Sequence, residues 1–128
     1  MKEIARNDYY AIEVDESKNR VYLTITGFWR DQSDVPHFLD DMKEAAQHVS
    51  SGFTVLTDVT KMKTPPPAIG EIHVQAQQIF VQAGLDKTAE ILPQAAISNI
   101  ALGRYAKKSG MEKGSFATPE EAEAWLDE

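Results

Sequence analysis

Residues 53–84 decide the fold, reading FTVLTDVT (53–60), KMKTPPPA (61–68) and IGEIHVQAQQIFVQAG (69–84). The first segment is β-branched and largely apolar, with the length and composition of a buried strand. The second carries a triple proline beside Lys61 and Lys63. Proline lacks an N–H and clashes with the preceding turn, so this segment reads as neither helix nor central strand. The third places Ile69, Ile72, Ala76, Ile79, Phe80 and Ala83 at helical spacing and stops at Gly84, where a left-handed C-cap belongs. A strand, a stiff loop and a helix in that order form the core unit of an α/β sheet. Ligands and partners of such sheets meet the fold at the loop leaving the strand's carboxyl end.

Upstream, residues 9–14 alternate, with Tyr10, Ile12 and Val14 on one face. Residues 20–29 alternate again, setting Val21, Leu23, Ile25, Gly27 and Trp29 against Tyr22, Thr24, Thr26 and Phe28. The polar residues 15–19 between them predict an antiparallel hairpin. Ser33 or Asp34 then caps a helix that takes Pro36 in its first turn and buries Val35, Phe38, Leu39, Met42, Ala45, Ala46 and Val49. Downstream, residues 88–92 read as a strand with Ala89 and Ile91 on one face, and residues 94–109 as a further helix. Ser115 and Phe116 suffice for a short edge strand. In Thr118-Pro119-Glu120-Glu121 a cap, an N1 proline and a capping-box glutamate start a last helix whose Ala122, Trp125 and Leu126 face inward. The fold class is therefore α/β: an N-terminal antiparallel hairpin leading into a mostly parallel sheet with right-handed crossovers and about four helices.

Length and composition set bounds. A chain of 128 residues, 42% hydrophobic and 26% charged, fits one domain with a real core. A formal charge of −7 argues against nucleic acid as a partner, since phosphate binding needs a basic face. The absence of cysteine removes disulfides and thiolate chemistry. The amino terminus has no apolar signal region, and no apolar run reaches the ~20 residues of a membrane span. A bacterial-type cytoplasmic location and no transmembrane segment are expected.

Recognisable chemistry is sparse. His37, His48 and His73 form no metal-binding spacing, and His73, beside the apolar stripe of the second helix, reads as structural. Asp58, near the end of the central strand, is better suited to fixing the next loop than to catalysis. Lys61 and Lys63 stand before a helix amino terminus, where backbone amides favour anions such as a phosphate or lipid head group, but two solvated lysines are the better reading. Trp29, followed by Arg30-Asp31-Gln32, has the setting of an exposed interface residue. Gln75, Gln77, Gln78 and Gln82 give the second helix an outer face without charge. That face, together with the proline hinge and Gly84, marks this helix as the mobile or partner-facing element.

The element order resembles the anti-sigma-factor-antagonist (STAS) domain, and more narrowly the SpoIIAA-like family. Residues 19–28, NRVYLTITGF, resemble the family's second strand. Residues 55–60, VLTDVT, resemble its central strand, and residues 116–126, FATPEEAEAWL, its closing strand and helix. In the archetypal antagonists a serine at the start of the helix after the central strand is phosphorylated. The corresponding residues 63–70, KTPPPAIG, hold no serine, and Thr64 lies ahead of the matching position. The resemblance thus implies a regulatory domain without the serine switch. It also implies a possible kinship of fold with lipid-carrying CRAL-TRIO domains.

Two functions follow as expectations. The first is a non-enzymatic binding or regulatory domain that meets a protein partner, or a second copy of itself, through Lys61, Lys63, Thr64, Ile69, Ile72, His73, Ala76 and Phe80. The second is a carrier of a small apolar, lipid-like ligand held between the second helix and the sheet, in transient contact with a membrane. Neither requires a cofactor or a metal.

Overall fold

A computed structural model describes residues 1–92 and 113–128. Its strands are β1 (Lys2–Arg6), β2 (Tyr10–Asp15), β3 (Arg20–Gly27), β4 (Thr54–Met62), β5 (Lys87–Ile91) and β6 (Lys113–Phe116). Its helices are α1 (Phe38–Gln47), α2 (Pro67–Gln82) and α3 (Pro119–Leu126). The strands form one sheet in the order β1-β2-β3-β4-β5-β6. β2 is antiparallel to both β1 and β3, and β3 through β6 are parallel. The hairpin and parallel sheet thus stand as the alternation predicted. β1 was not foreseen, because KEIAR offers little apolar patterning. Three α-helices lie among the described residues, against about four expected; the expected helix over residues 94–109 lies outside them.

α1 and α2 share one face of the sheet. Their Phe38, Met42, Ala45, Ile69, Ile72, Ala76 and Phe80 pack on Tyr10, Ile12, Val14, Val21, Leu23, Ile25, Val55 and Val59. α3 covers part of the opposite face, where Ala122 and Leu126 pack on Leu56, Ala89 and Ile91. Because β4 and β5 are covered on both sides, they bury successive residues and lose the alternation of the hairpin.

Several local readings change. α1 begins at Phe38, after a 3-10 turn over Gln32–Asp34 that Asp31 caps, so neither Ser33 nor Asp34 caps it. The aspartate wins because its carboxylate reaches the Ser33 amide at 2.8 Å. β4 runs on through Lys61 and Met62, which pair with Thr26 and Gly27, so Lys61 is strand rather than loop. Pro67 is the first helical residue of α2, where its missing donor has no cost. Trp29 is not exposed: it is 1% accessible and its indole Nε1 donates to the Tyr9 carbonyl at 3.2 Å. Among the described residues the exposed aromatic is its neighbour Phe28, at 45%.

The carboxyl end of α2 is as expected. Gly84 has φ 102°, its amide donates to Val81, and the Leu85 amide donates to Phe80, which together form a Schellman cap. Thr118 caps α3 through the Glu121 amide at 3.3 Å. Among the described residues no helix is long and apolar enough to cross a membrane.

Candidate functional site

The eight residues singled out from the sequence divide into two groups. Lys61, Lys63 and Thr64 are exposed on the rim, at the end of β4 and in the loop before α2. Ile69, Ile72, His73, Ala76 and Phe80 are buried on the inner face of α2. The structure therefore does not join the lysines and the apolar residues into one surface.

His73, Ala76 and Phe80 do meet at a cavity. It lies between α2, α1 and the sheet and is lined by Leu23, Ile25, Val55 and Val59 from β3 and β4, with Phe38 and Met42 from α1. Its volume is about 40 Å³. That is room for a few waters and well short of the about 150 Å³ that accepts benzene. Its wall is mostly apolar, and Thr57, His73, Gln77, Thr88 and Glu90 also face it. Ile69 and Ile72 belong to the surrounding core instead.

Each polar group has a distinct situation. The His73 ring is 5.1 Å from that of Trp29 and 6.2 Å from that of Phe38. Burial lowers its pKa to about 4, so the imidazole is neutral at pH 7. Thr88 donates its hydroxyl to the Val55 carbonyl at 3.2 Å. Glu90 is 4% accessible, and burial raises its carboxyl pKa although Lys113 opposes the rise. The Lys113 Nζ lies 3.6 Å from Glu90 Oε2, an ion-pair distance too long for a good hydrogen bond. Among the described residues neither Gln77 Oε1 nor Glu90 Oε2, both buried, has a hydrogen-bond partner.

Sequence reasoning missed both of these oxygens. Gln77 was assigned to the outer face of α2 with Gln75, Gln78 and Gln82, but only those three are exposed. Its position one turn after His73 places it at the margin of the buried stripe, which was the available signal. Glu90 lies between Ala89 and Ile91 on a strand buried from both sides. Once those two faced α3, it had to face the cavity.

The remaining expectations resolve simply. Asp58 Oδ1 accepts from the Thr60 amide at 2.9 Å and the Thr60 hydroxyl at 2.7 Å. It thereby fixes the irregularity where Thr24 pairs with Asp58 but Thr26 pairs with Lys61. A second, wider groove of about 240 Å³ opens beside α3 and is lined by Glu13, Asp58 and Glu123 among others. Its carboxylates and its openness make it a solvated cleft. Among the described residues no group of three or more His, Asp or Glu side chains is placed to hold a metal.

The sheet order, the paired helices on one face and the closing strand–helix unit can be set beside a solved structure. An uncharacterized protein of the DUF3478 family from Shewanella loihica PV-4, described as having a SpoIIAA-like fold, superimposes with a TM-score of 0.67. The match covers 95% of this chain and 97% of that one, at 15% sequence identity. This chain has a SpoIIAA-like fold. No protein-family model matches the sequence, and no curated protein matches it. The SpoIIAA-like likeness is thus one of architecture, and the site must be argued from its own residues.

Proposed function

We propose that this SpoIIAA-like chain is a non-enzymatic binding domain that receives a small, largely apolar ligand between α1, α2 and the sheet. The observation that carries this reading is the cavity itself. It is walled by Leu23, Ile25, Phe38, Met42, Val55 and Phe80, yet it holds two buried oxygens that have no hydrogen bond among the described residues. A purely structural core would fill such a space with side chains or pair such oxygens. The neutral His73, stacked on Trp29, suits packing rather than proton transfer.

The serine switch of the antagonists has no counterpart in this reading, since Pro66 and Pro67 occupy the start of α2. Binding of a protein partner through α2 has weaker support, because its exposed face is polar, made of Glu71, Gln75, Gln78 and Gln82, with no large apolar residue exposed on it.

Denaturing mass spectrometry of the purified protein tests the proposal. A carrier releases a stoichiometric small molecule, and Ala76→Met, which fills the cavity from α2, abolishes that co-purification. Protein that is ligand-free and takes up no apolar probe counts against it.

A further inference from the structure

The geometry points to an uncharged hydrogen-bond donor, a hydroxyl, as the polar head of the ligand, its one proton donated to Gln77 Oε1 beside the Glu90–Lys113 pair. This inference rests on the cavity being the ligand site and goes further by selecting the chemistry of the ligand.

The two oxygens come from different elements, α2 and β5, and line the same cavity. Glu90 is held in register with Thr57 on β4, so its backbone is fixed by the centre of the sheet. Gln77 Oε1 is a buried acceptor with no donor among the described residues, and Glu90 Oε2 has only the Lys113 ammonium at 3.6 Å. Leaving such an acceptor unpaired is penalised, and a ligand that donates to it recovers that penalty on binding.

Charge then separates the classes of donor and acceptor. A carboxylate head brings only acceptors, so Gln77 Oε1 stays unpaired and a further negative charge is buried beside the Glu90–Lys113 pair. Lys113 is already engaged by Glu90 at 3.6 Å, and His73 is neutral at pH 7, so neither is free to neutralise an anion. An ammonium head donates, but it must leave water and settle at the same oxygen as the Lys113 ammonium. A hydroxyl donates without adding charge. The rest of the wall, Leu23, Ile25, Val55, Val59 and Phe80, accepts the hydrocarbon.

The volume of about 40 Å³ also bears on the ligand. Any organic molecule must enlarge the space, so short chains suit a first test better than long lipids. The probes are 1-butanol, butylammonium and butyrate, titrated at pH 7.5 into protein labelled at Leu, Ile and Val methyl groups. The expected result is movement of the Leu23, Ile25, Val55 and Val59 methyl resonances, with 1-butanol bound about ten-fold or more tightly than either ion. Glu90→Gln removes the carboxylate charge and should bring butyrate within about three-fold of 1-butanol. Butyrate or butylammonium binding as tightly as 1-butanol to the unaltered protein would overturn the head-group assignment and leave the cavity as a ligand site. If none of the three probes moves these methyl resonances, the cavity reading falls as well. The comparison of probes uses the unaltered chain, so a Glu90→Gln variant that fails to fold does not remove the test.

Discussion

The imidazole of His73 lies nearly parallel to the indole of Trp29, with centroids 5.1 Å apart and planes 20° from parallel. Trp29 also sits edge-on to Phe38 at 4.9 Å. One aromatic stack therefore joins the end of β3, α1 and α2. Its basic member, His73, is buried, and a proton there would be charged in an apolar setting.

That stack makes stability depend on pH. The native pKa of about 4 lies below the ordinary 6.5, so the unfolded chain takes up a proton that the native protein refuses. The contribution of His73 is complete above pH 6.5 and is lost as pH falls toward 4. Its full size is up to about 3 kcal/mol. Urea unfolding of the wild type and His73→Phe at pH 7 and pH 4.5 should show the wild type losing about 2–3 kcal/mol more than the variant on acidification. Glu90, whose pKa is raised, acts in the opposite direction in both proteins and cancels from the difference. Equal losses would mean that the ring is protonated without penalty in the native state.

Two glycines with positive φ separate backbone strain from steric exclusion. Gly52 and Gly84 have φ of 90° and 102°. A Cβ at Gly52 meets nothing within 4 Å, whereas one at Gly84 falls 2.5 Å from Ser51 Oγ and 2.8 Å from Ser51 Cα. Gly52→Ala should cost about 1 kcal/mol from the left-handed backbone alone. Gly84→Ala should cost at least about 2 kcal/mol more, because Ser51 backbone must also shift. Equal effects in chemical denaturation would show that the Ser51 loop yields freely.

Arg20 anchors the last helix. Its side chain is 4% exposed and reaches Glu123 at 3.0 Å, Asp127 at 2.8 Å and Thr54 Oγ1 at 2.9 Å. Tyr22 donates to the same Glu123 carboxylate at 2.7 Å. Arg20→Met should destabilise by about 1–3 kcal/mol, less than for a fully buried pair because Asp127 is largely exposed. The loss should appear first as faster hydrogen exchange in α3. Unchanged protection of α3 would assign its docking to Ala122 and Leu126 alone.

Trp125 is half-buried, not fully enclosed as its spacing with Ala122 and Leu126 had suggested. It lies 5.5 Å from Phe116, and the Lys87 ammonium sits 4.4 Å above its ring. Trp125→Ala should therefore cost about 2–3 kcal/mol, below the range for a buried indole. A loss below about 1 kcal/mol would mean that Phe116 and Lys87 do not depend on it.

Burial argues for α1 rather than α2 as the helix that moves. α2 buries Ile69, Gly70, Ile72, His73, Val74, Ala76 and Phe80, and a full Schellman cap closes it. α1 is shorter and buries only Phe38, Met42 and Ala45, and neither helix has a side-chain N-cap bond. Phe38 and Met42 are also its contribution to the cavity wall. The α1 amides should exchange faster than those of residues 72–80 in the free protein, and 1-butanol should alter α1 protection most. Slower exchange in α1 than in α2 would restore α2 as the moving element.

How much of this was legible in the sequence depended on whether a signal was local. Tyr10, Ile12 and Val14, and Val21, Leu23 and Ile25, alternate because their strands bury one face, and that alternation set the hairpin. Gly84 and Thr118 declared the end of α2 and the start of α3 through requirements of single residues. The cavity was legible only as a position, between α2 and the sheet. Its polar content was hidden because Gln77 and Glu90 look like surface residues until tertiary packing covers them. The burial of Trp29 likewise followed from alternation along β3 but conflicted with the charged residues after it, and the strand pattern prevailed.

The strand order β1 through β6 is also the order of synthesis. No strand has to be inserted between two that are already paired, so each can add to the free edge left by the one before. A nascent chain can thus complete the antiparallel hairpin before β4 is made and extend the sheet outward from it. The cavity is assembled late on this route. Its floor needs β5, which follows α2, so Gln77 must wait in water until Glu90 arrives to face it across the closed space.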